Sequence, residues 1–91
     1  MAVLCVFDIP GMTRELYLEA IHQVHDREQP APGFMAHAAT VTSDGVRITE
    51  LWESQEDVNR FLETVIMPTA QQLGVPPIQS EFVETVAAFT H

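Results

Sequence analysis

The apolar and polar positions of the chain alternate between two rhythms. Residues 3–7 (Val-Leu-Cys-Val-Phe) form a continuous apolar run that Asp8-Ile9-Pro10-Gly11 closes. A short, bounded run of strand-forming residues predicts a strand covered on both faces. The rhythm then becomes helical. Leu16, Tyr17, Ala20, Ile21 and Val24 fall on one stripe. Thr13 caps this helix, Glu15 lies in its first turn, and Met12 and Tyr17 occupy the positions of a hydrophobic staple. Gln29-Pro30-Ala31-Pro32-Gly33 ends it, because proline lacks the amide donor and disfavours helix before it.

Residues 34–42 and 46–53 flank Ser43-Asp44-Gly45, and Asp-Gly between two strand-like segments predicts a hairpin. Ser54 caps a second helix whose stripe is Val58, Phe61, Leu62, Val65 and Ile66. Pro68 is expected to end it, kink it or start a short further helix that Gly74 closes. Pro76-Pro77 is a rigid connector. Residues 78–89, anchored by Phe82, Val83 and Val86, predict a last strand.

Strand, helix, strand, strand, helix, strand is the split βαβ order of the α+β, ferredoxin-like βαββαβ folds, with a four-stranded antiparallel sheet. Both helices cover one face of that sheet and leave the other bare. A two-residue Asp44-Gly45 turn would pair Val41 with Ile48, Ala39 with Glu50 and His37 with Trp52. Met35, His37, Ala39, Val41, Ile48, Glu50 and Trp52 then share one face. Phe34, Ala36, Ala38, Thr40, Thr49 and Leu51 share the other. The small residues of the second set suit close helix packing, so the first set is expected on the bare face. Apolar walls with a few polar groups mark a ligand pocket, and a face so apolar needs a ligand or a second copy to cover it.

Composition narrows the function. At 91 residues the chain is expected to be one domain, 1–91, with a small core. The single cysteine, Cys5, rules out an internal disulfide, and no Cys-x-x-Cys pair suggests structural zinc. Self-association is the remaining source of stability for so short a chain. Four cations (Arg14, Arg27, Arg47, Arg60) against 13 acidic residues give a net charge of −9. That balance argues against nucleic acid and against an anionic membrane surface as partners. No apolar run approaches the ~20 residues of a membrane span, and the apolar start lacks a basic leader, so a cytoplasmic location is expected.

Candidate chemistry gathers on the mixed face. His37 titrates near neutrality and is the candidate catalytic base. Glu50 points the same way and can orient it or act as a base itself. Trp52 offers a flat wall or an indole donor, with Met35, Val41 and Ile48 as further walls. Tyr17, at the start of the first helix, reaches toward a pocket mouth. Each has a plainer reading: a hydrogen-bonded core histidine, a strand-end carboxylate, packing anchors. Cys5 reads as a small buried hydrophobe. His22 and His25, three apart on the first helix, lie opposite its apolar stripe on a solvated face, so no metal site is expected. A dinucleotide fingerprint, a phosphate loop and a nucleophile elbow are all absent, so no cofactor is expected.

The Gly33-Phe34-Met35-Ala36-His37 segment, the Asp44-Gly45 turn, Leu51-Trp52-Glu53-Ser54 before an acidic helix start, and Gly74-Val75-Pro76-Pro77 before the last strand resemble the dimeric α+β barrel superfamily. Within it they are most similar to the small antibiotic-biosynthesis-monooxygenase-like proteins, over almost the whole chain. The resemblance implies two sheets packed face to face in a homodimer, each with a pocket between sheet and helices or at the sheet centre. It matches His37 on the second strand and Trp52 on the third to recurrent positions. It also sets the terminal Phe89-Thr90-His91 against a Pro-Val-His-like ending, with His91 as a further pocket residue. The implied activity is cofactor-independent, monooxygenase-like, on a small apolar aromatic or polyketide-like substrate, starting with proton abstraction. Cyclisation or isomerisation would use the same equipment. A non-catalytic binding or accessory dimer is the reading from another class. A haem-handling member would use His37 as axial ligand, with few cations to hold the propionates.

Overall fold

A computed structural model describes residues 2–90. Val3–Pro10 forms β1, Arg14–Glu28 α1, Phe34–Val41 β2, Gly45–Trp52 β3, Gln55–Phe61 α2, Met67–Leu73 α3 and Gln79–Glu84 β4. The sheet order is β2-β3-β1-β4, antiparallel throughout. This is the expected ferredoxin-like arrangement. His91, expected near the pocket, lies outside the described residues.

Local chemistry sets the element ends. Thr13 Oγ1 accepts from the Leu16 amide at 3.1 Å and Ser54 Oγ from the Asp57 amide at 3.1 Å, which satisfies helix-start donors. A π turn over Leu62–Ile66 joins α2 to α3, with the Met67 amide reaching back to the Leu62 carbonyl. Pro68 follows at the start of α3, where it has no amide to offer and its ring needs room. Gly74 closes α3 in the left-handed conformation, φ 70°.

The hairpin differs from expectation by two residues. The turn is Ser43-Asp44, held by the Thr42 amide on the Gly45 carbonyl at 2.9 Å and the Gly45 amide on Thr42 Oγ1 at 3.1 Å. His37 therefore pairs with Glu50, Ala39 with Ile48 and Val41 with Val46. Gly45 closes the turn as the first residue of β3 and is not one of its two central residues. It lies against the β1 backbone at Ile9, where a Cβ has no space. A shift of two keeps every side chain on its face, so the His37–Ile48–Glu50 set survives. Near the strand start a bulge breaks the parity. Phe34 pairs with Trp52 and Ala36 with Leu51, which leaves Met35 as the extra residue. Phe34, not Met35, meets Trp52, with ring centroids 5.4 Å apart.

The expected faces are reversed. The His37 set lies under the helices. β1 alternates strictly, with Val3, Cys5, Phe7 and Ile9 buried and registered on Trp52, Glu50, Ile48 and Val46. This side packs against Val24 of α1 and Val58, Phe61 and Val65 of the second helical stretch. Large side chains on one sheet face fill the space under two helices. The small residues Ala36 and Ala38, with Thr40 and Thr49, point away from them, beside Leu4, Val6, Leu51 and Val83. Among the described residues, no helix is long and apolar enough to cross a membrane.

Candidate active site

A cavity lies between the sheet and the helices. Phe7, Ile9 and Ile48 form its sheet wall, Ala20, Ile21 and Val24 come from α1, and Leu62, Ile66 and Ala70 close it from the second helical stretch. Into this apolar space point Tyr17, Glu28, His37, Glu50 and, from α3, Thr69. Ligand sites have this composition: apolar walls and few, convergent polar groups.

The polar groups form one chain. Tyr17 Oη lies 2.7 Å from His37 Nε2. On the other side of the ring, Nδ1 donates to Glu50 Oε2 at 2.6 Å and lies 3.1 Å from Glu28 Oε1. Trp52 Nε1 donates to the second oxygen of Glu50 at 2.8 Å. Strand register explains the contacts between strands: His37 and Glu50 are directly paired, and Trp52 is two residues along β3 on the same side. Glu28 arrives from the last position of α1, four residues beyond Val24.

Burial and partners set the charges. For His37, burial opposes the charged ring, but the hydrogen bonds from Glu28, Glu50 and Tyr17 outweigh it and push the pKa up to about 11. These contacts favour the imidazolium, in which both ring nitrogens donate. Glu50 is held below the usual carboxylate range: burial opposes ionisation, and the hydrogen bonds with His37, then Glu28, then Trp52 prevail. Glu28 goes the other way, pushed up to about 7 by burial and by the neighbouring Glu50, with His37 acting against the rise. Cys5, fully buried on the same sheet face, is pushed up to about 12 by burial and then by Glu50, so it stays a neutral thiol.

The structure brings His37, Glu50, Ile48 and Tyr17 to the cavity. Trp52 is fully buried behind Glu50 and packs on Phe34 and Phe61, so it serves as indole donor and anchor and not as an exposed wall. Met35 is displaced by the bulge and does not line the cavity. Val41 is 65% exposed at the turn end of β2, beyond the reach of the helices. Glu28 was absent from the sequence reading. Its signal is the helical spacing: Tyr17, Ile21, Val24 and Glu28 continue one stripe, so a carboxylate is carried onto an apolar face.

Glu28, His37 and Glu50 each offer a ligand atom within 4.8 Å of one another, a spacing compatible with a small cation. The imidazolium already supplies positive charge between the two carboxylates. His22 and His25 are exposed on α1, as expected of a solvated face.

No protein-family model matches the chain, and no curated protein matches it. Solved structures do. The cofactor-independent oxygenase SnoaB from Streptomyces nogalater superposes with a TM-score of 0.70 at 12% identity, covering 99% of this chain and 96% of that one. The ActVA-Orf6 monooxygenase of Streptomyces coelicolor, in complex with nanaomycin D, gives 0.70 at 22% identity, over 99% and 91%. A putative antibiotic biosynthesis monooxygenase from Nitrosomonas europaea gives 0.67 at 18% identity, over 96% and 100%. The chain has the ferredoxin-like fold that these antibiotic-biosynthesis-monooxygenase-like proteins share.

Proposed function

We propose that the chain is a cofactor-independent, monooxygenase-like enzyme that binds a small, apolar aromatic or polyketide-like molecule in the cavity between sheet and helices. The reaction begins with proton abstraction. The observation that carries this reading is the Tyr17–His37 pair, 2.7 Å apart and facing an otherwise apolar cavity. His37, as imidazolium, donates from Nε2 to Tyr17 Oη. The hydroxyl proton of Tyr17 is then free to meet a substrate oxygen as negative charge develops there. Glu50 and Trp52 fix the ring from behind. In oxygenation the substrate anion supplies the electrons: one atom of dioxygen enters the substrate and the other leaves as water. Cyclisation and isomerisation share the first step.

Oxygen uptake with polycyclic phenols, without added cofactor, tests the proposal. Tyr17→Phe removes one donor to the developing charge and is expected to lower turnover roughly 10²-fold or more. A thermal-shift series with nanaomycin D and the same phenols reports binding, since a ligand of the native state must raise the Tm. Uptake without phenol dependence, together with no Tm rise from any ligand, would leave an accessory protein as the better reading. Binding without oxygen uptake would favour a cyclase or isomerase.

A second copy of the chain is part of the proposal. Among the described residues, no helix lies over the sheet face carrying Leu4, Val6, Leu51 and Val83, and Val83 is 46% exposed. A homodimer that packs these faces together would bury it. A cytoplasmic location, with the buried Cys5 thiol kept reduced, fits the same picture.

A further inference from the structure

We propose that Glu28 is the proton acceptor of this site, taking a proton through Oε2 from a carbon next to a ketone or from a phenol, of a neutral aromatic substrate. The proposal rests on the cavity being a proton-abstraction site, as above. The argument is one of unengaged atoms. Both oxygens of Glu50 are engaged, by Trp52 and by His37. Both nitrogens of His37 are engaged, by Tyr17 and by the carboxylates. Tyr17 Oη is paired with His37 Nε2. Among the described residues, Glu28 is the member of the cluster with a wholly unpartnered oxygen: Oε1 lies on His37, while Oε2 is buried and makes no hydrogen bond. A residue only 3% exposed with an unpaired carboxylate oxygen needs a reason.

Position supplies a second argument. Ile21, Glu28 and His37 border both the cavity and a separate groove that His25, Gln29 and Phe34 complete. Glu28 therefore stands between the substrate space and a side from which an accepted proton can leave. The groups facing it are His37 from β2 and Glu50 from β3, with His25 in the groove, while Tyr17 of its own helix lies on the far side of the His37 ring. Burial and Glu50 keep the carboxyl near neutrality, where a general base works best.

The step balances within the site. The C–H bond next to the carbonyl breaks and its proton forms an O–H bond at Glu28 Oε2. The electron pair forms a carbon–carbon double bond, and the carbonyl pair moves to oxygen, where Tyr17 donates to it. The reverse step returns a proton from the carboxyl, which in D2O has exchanged for deuterium.

The test uses 2-tetralone, a bicyclic aromatic ketone, in D2O, with exchange of its acidic C–H positions followed by NMR. Wild-type protein is expected to accelerate exchange, with a rate that rises through about pH 7. Glu28→Gln, which keeps the shape, is expected to lose roughly 10²-fold or more and the pH-dependent rise with it, while nanaomycin D still raises its Tm. Infrared spectroscopy gives a measurement without substrate: a protonated-carboxyl band that titrates near pH 7 and is missing in Glu28→Gln. Exchange by Glu28→Gln at the wild-type rate overturns the role of Glu28 and leaves the proton-abstraction reading standing. So does a wild-type spectrum lacking that band. No acceleration by the wild type overturns the proton-abstraction reading itself, and Glu28 with it.

Discussion

Raising the pH from about 5 to about 7 should destabilise this protein, and Glu28 should be the reason. An unfolded glutamate titrates near 4.5; in the fold Glu28 is held up at about 7. Between those values the native chain binds more protons than the unfolded one, so stability present at low pH is lost as the pH rises through the folded value. The whole difference of about 2.5 units, at 1.36 kcal/mol per unit, corresponds to about 3 kcal/mol, of which about 2 kcal/mol is lost between about pH 5 and about pH 7. For a domain of this size that is a fall in Tm of roughly 8–16 °C. His37 continues the trend. Its folded value of about 11 stands above the ordinary 6.5, so its contribution is complete below 6.5 and fades as the pH climbs toward 11. Because the two groups share one cluster, their effects overlap and do not add in full. Urea unfolding at several pH values, followed by far-UV circular dichroism and by the fluorescence of the single buried Trp52, measures the effect. The chain's general negative charge also opposes compaction at higher pH, but salt screens it, whereas a buried carboxyl is screened much less. Glu28→Gln in high salt should therefore flatten the curve between about pH 5 and about 7. A wild-type stability that holds or rises over that interval, or an equal slope in Glu28→Gln, would refute the reasoning.

Three other substitutions probe different links. Trp52→Phe keeps an aromatic ring but removes the donor to Glu50 Oε1; with a charged acceptor left buried, the expected cost is about 2–4 kcal/mol by urea unfolding, and a cost under about 0.5 kcal/mol would show that Glu50 does not depend on it. Gly33→Ala places a Cβ at φ 85° against the Asp57 side chain, itself part of the Ser54 cap, and should cost about 1–3 kcal/mol; a neutral result in the same assay would contradict the close approach. Leu51→Lys on the bare sheet face should yield a monomer by light scattering, at concentrations where the wild type is a dimer; a wild-type monomer at micromolar concentration would remove the second copy from the proposal.

The sequence was most legible where one local device sets one feature. Thr13 and Ser54 mark helix starts, Gly74 a helix end, and the alternation of rhythms yields the element order and hence the fold. It was least legible where two elements must be compared. Asp44-Gly45 looked like the hairpin turn, but Gly45 answers to the β1 backbone beside it, a contact 36 residues away in sequence. The reversed faces have the same origin. Small residues suit a close helix, yet here the helices stand off the sheet and large side chains and the cavity fill the gap. The Met35 bulge has no local mark, since no glycine occupies it. His37 and Glu50 were legible as a pair because a shift of two residues preserves the face. The charge of His37 was not, since it depends on Glu28 arriving from another element.

The charge arrangement of the site bears on the kind of substrate it suits. Arg47 is tied to its cross-strand partner Asp8 on β1, and Arg60 to Glu56 and Asp57 on α2. Among the described residues, no arginine lines the cavity. His37 is the cation there, and two carboxylates already face it. An anionic substrate would find no counter-charge, so a neutral molecule fits best. When such a molecule gives its proton to Glu28, the negative charge leaves the carboxylate and reappears on the substrate oxygen beside Tyr17. The total charge inside the apolar cavity does not change; it moves from one side of the imidazolium to the other. In a low-dielectric site, relocating a charge around a fixed cation costs far less than creating a new one. On that argument Glu28 and Tyr17 on opposite sides of His37 act together, and each should lose most of its effect when the other is removed. A double variant of Tyr17→Phe and Glu28→Gln should therefore exchange 2-tetralone about as slowly as the worse single variant; losses that multiply would show the two groups acting independently.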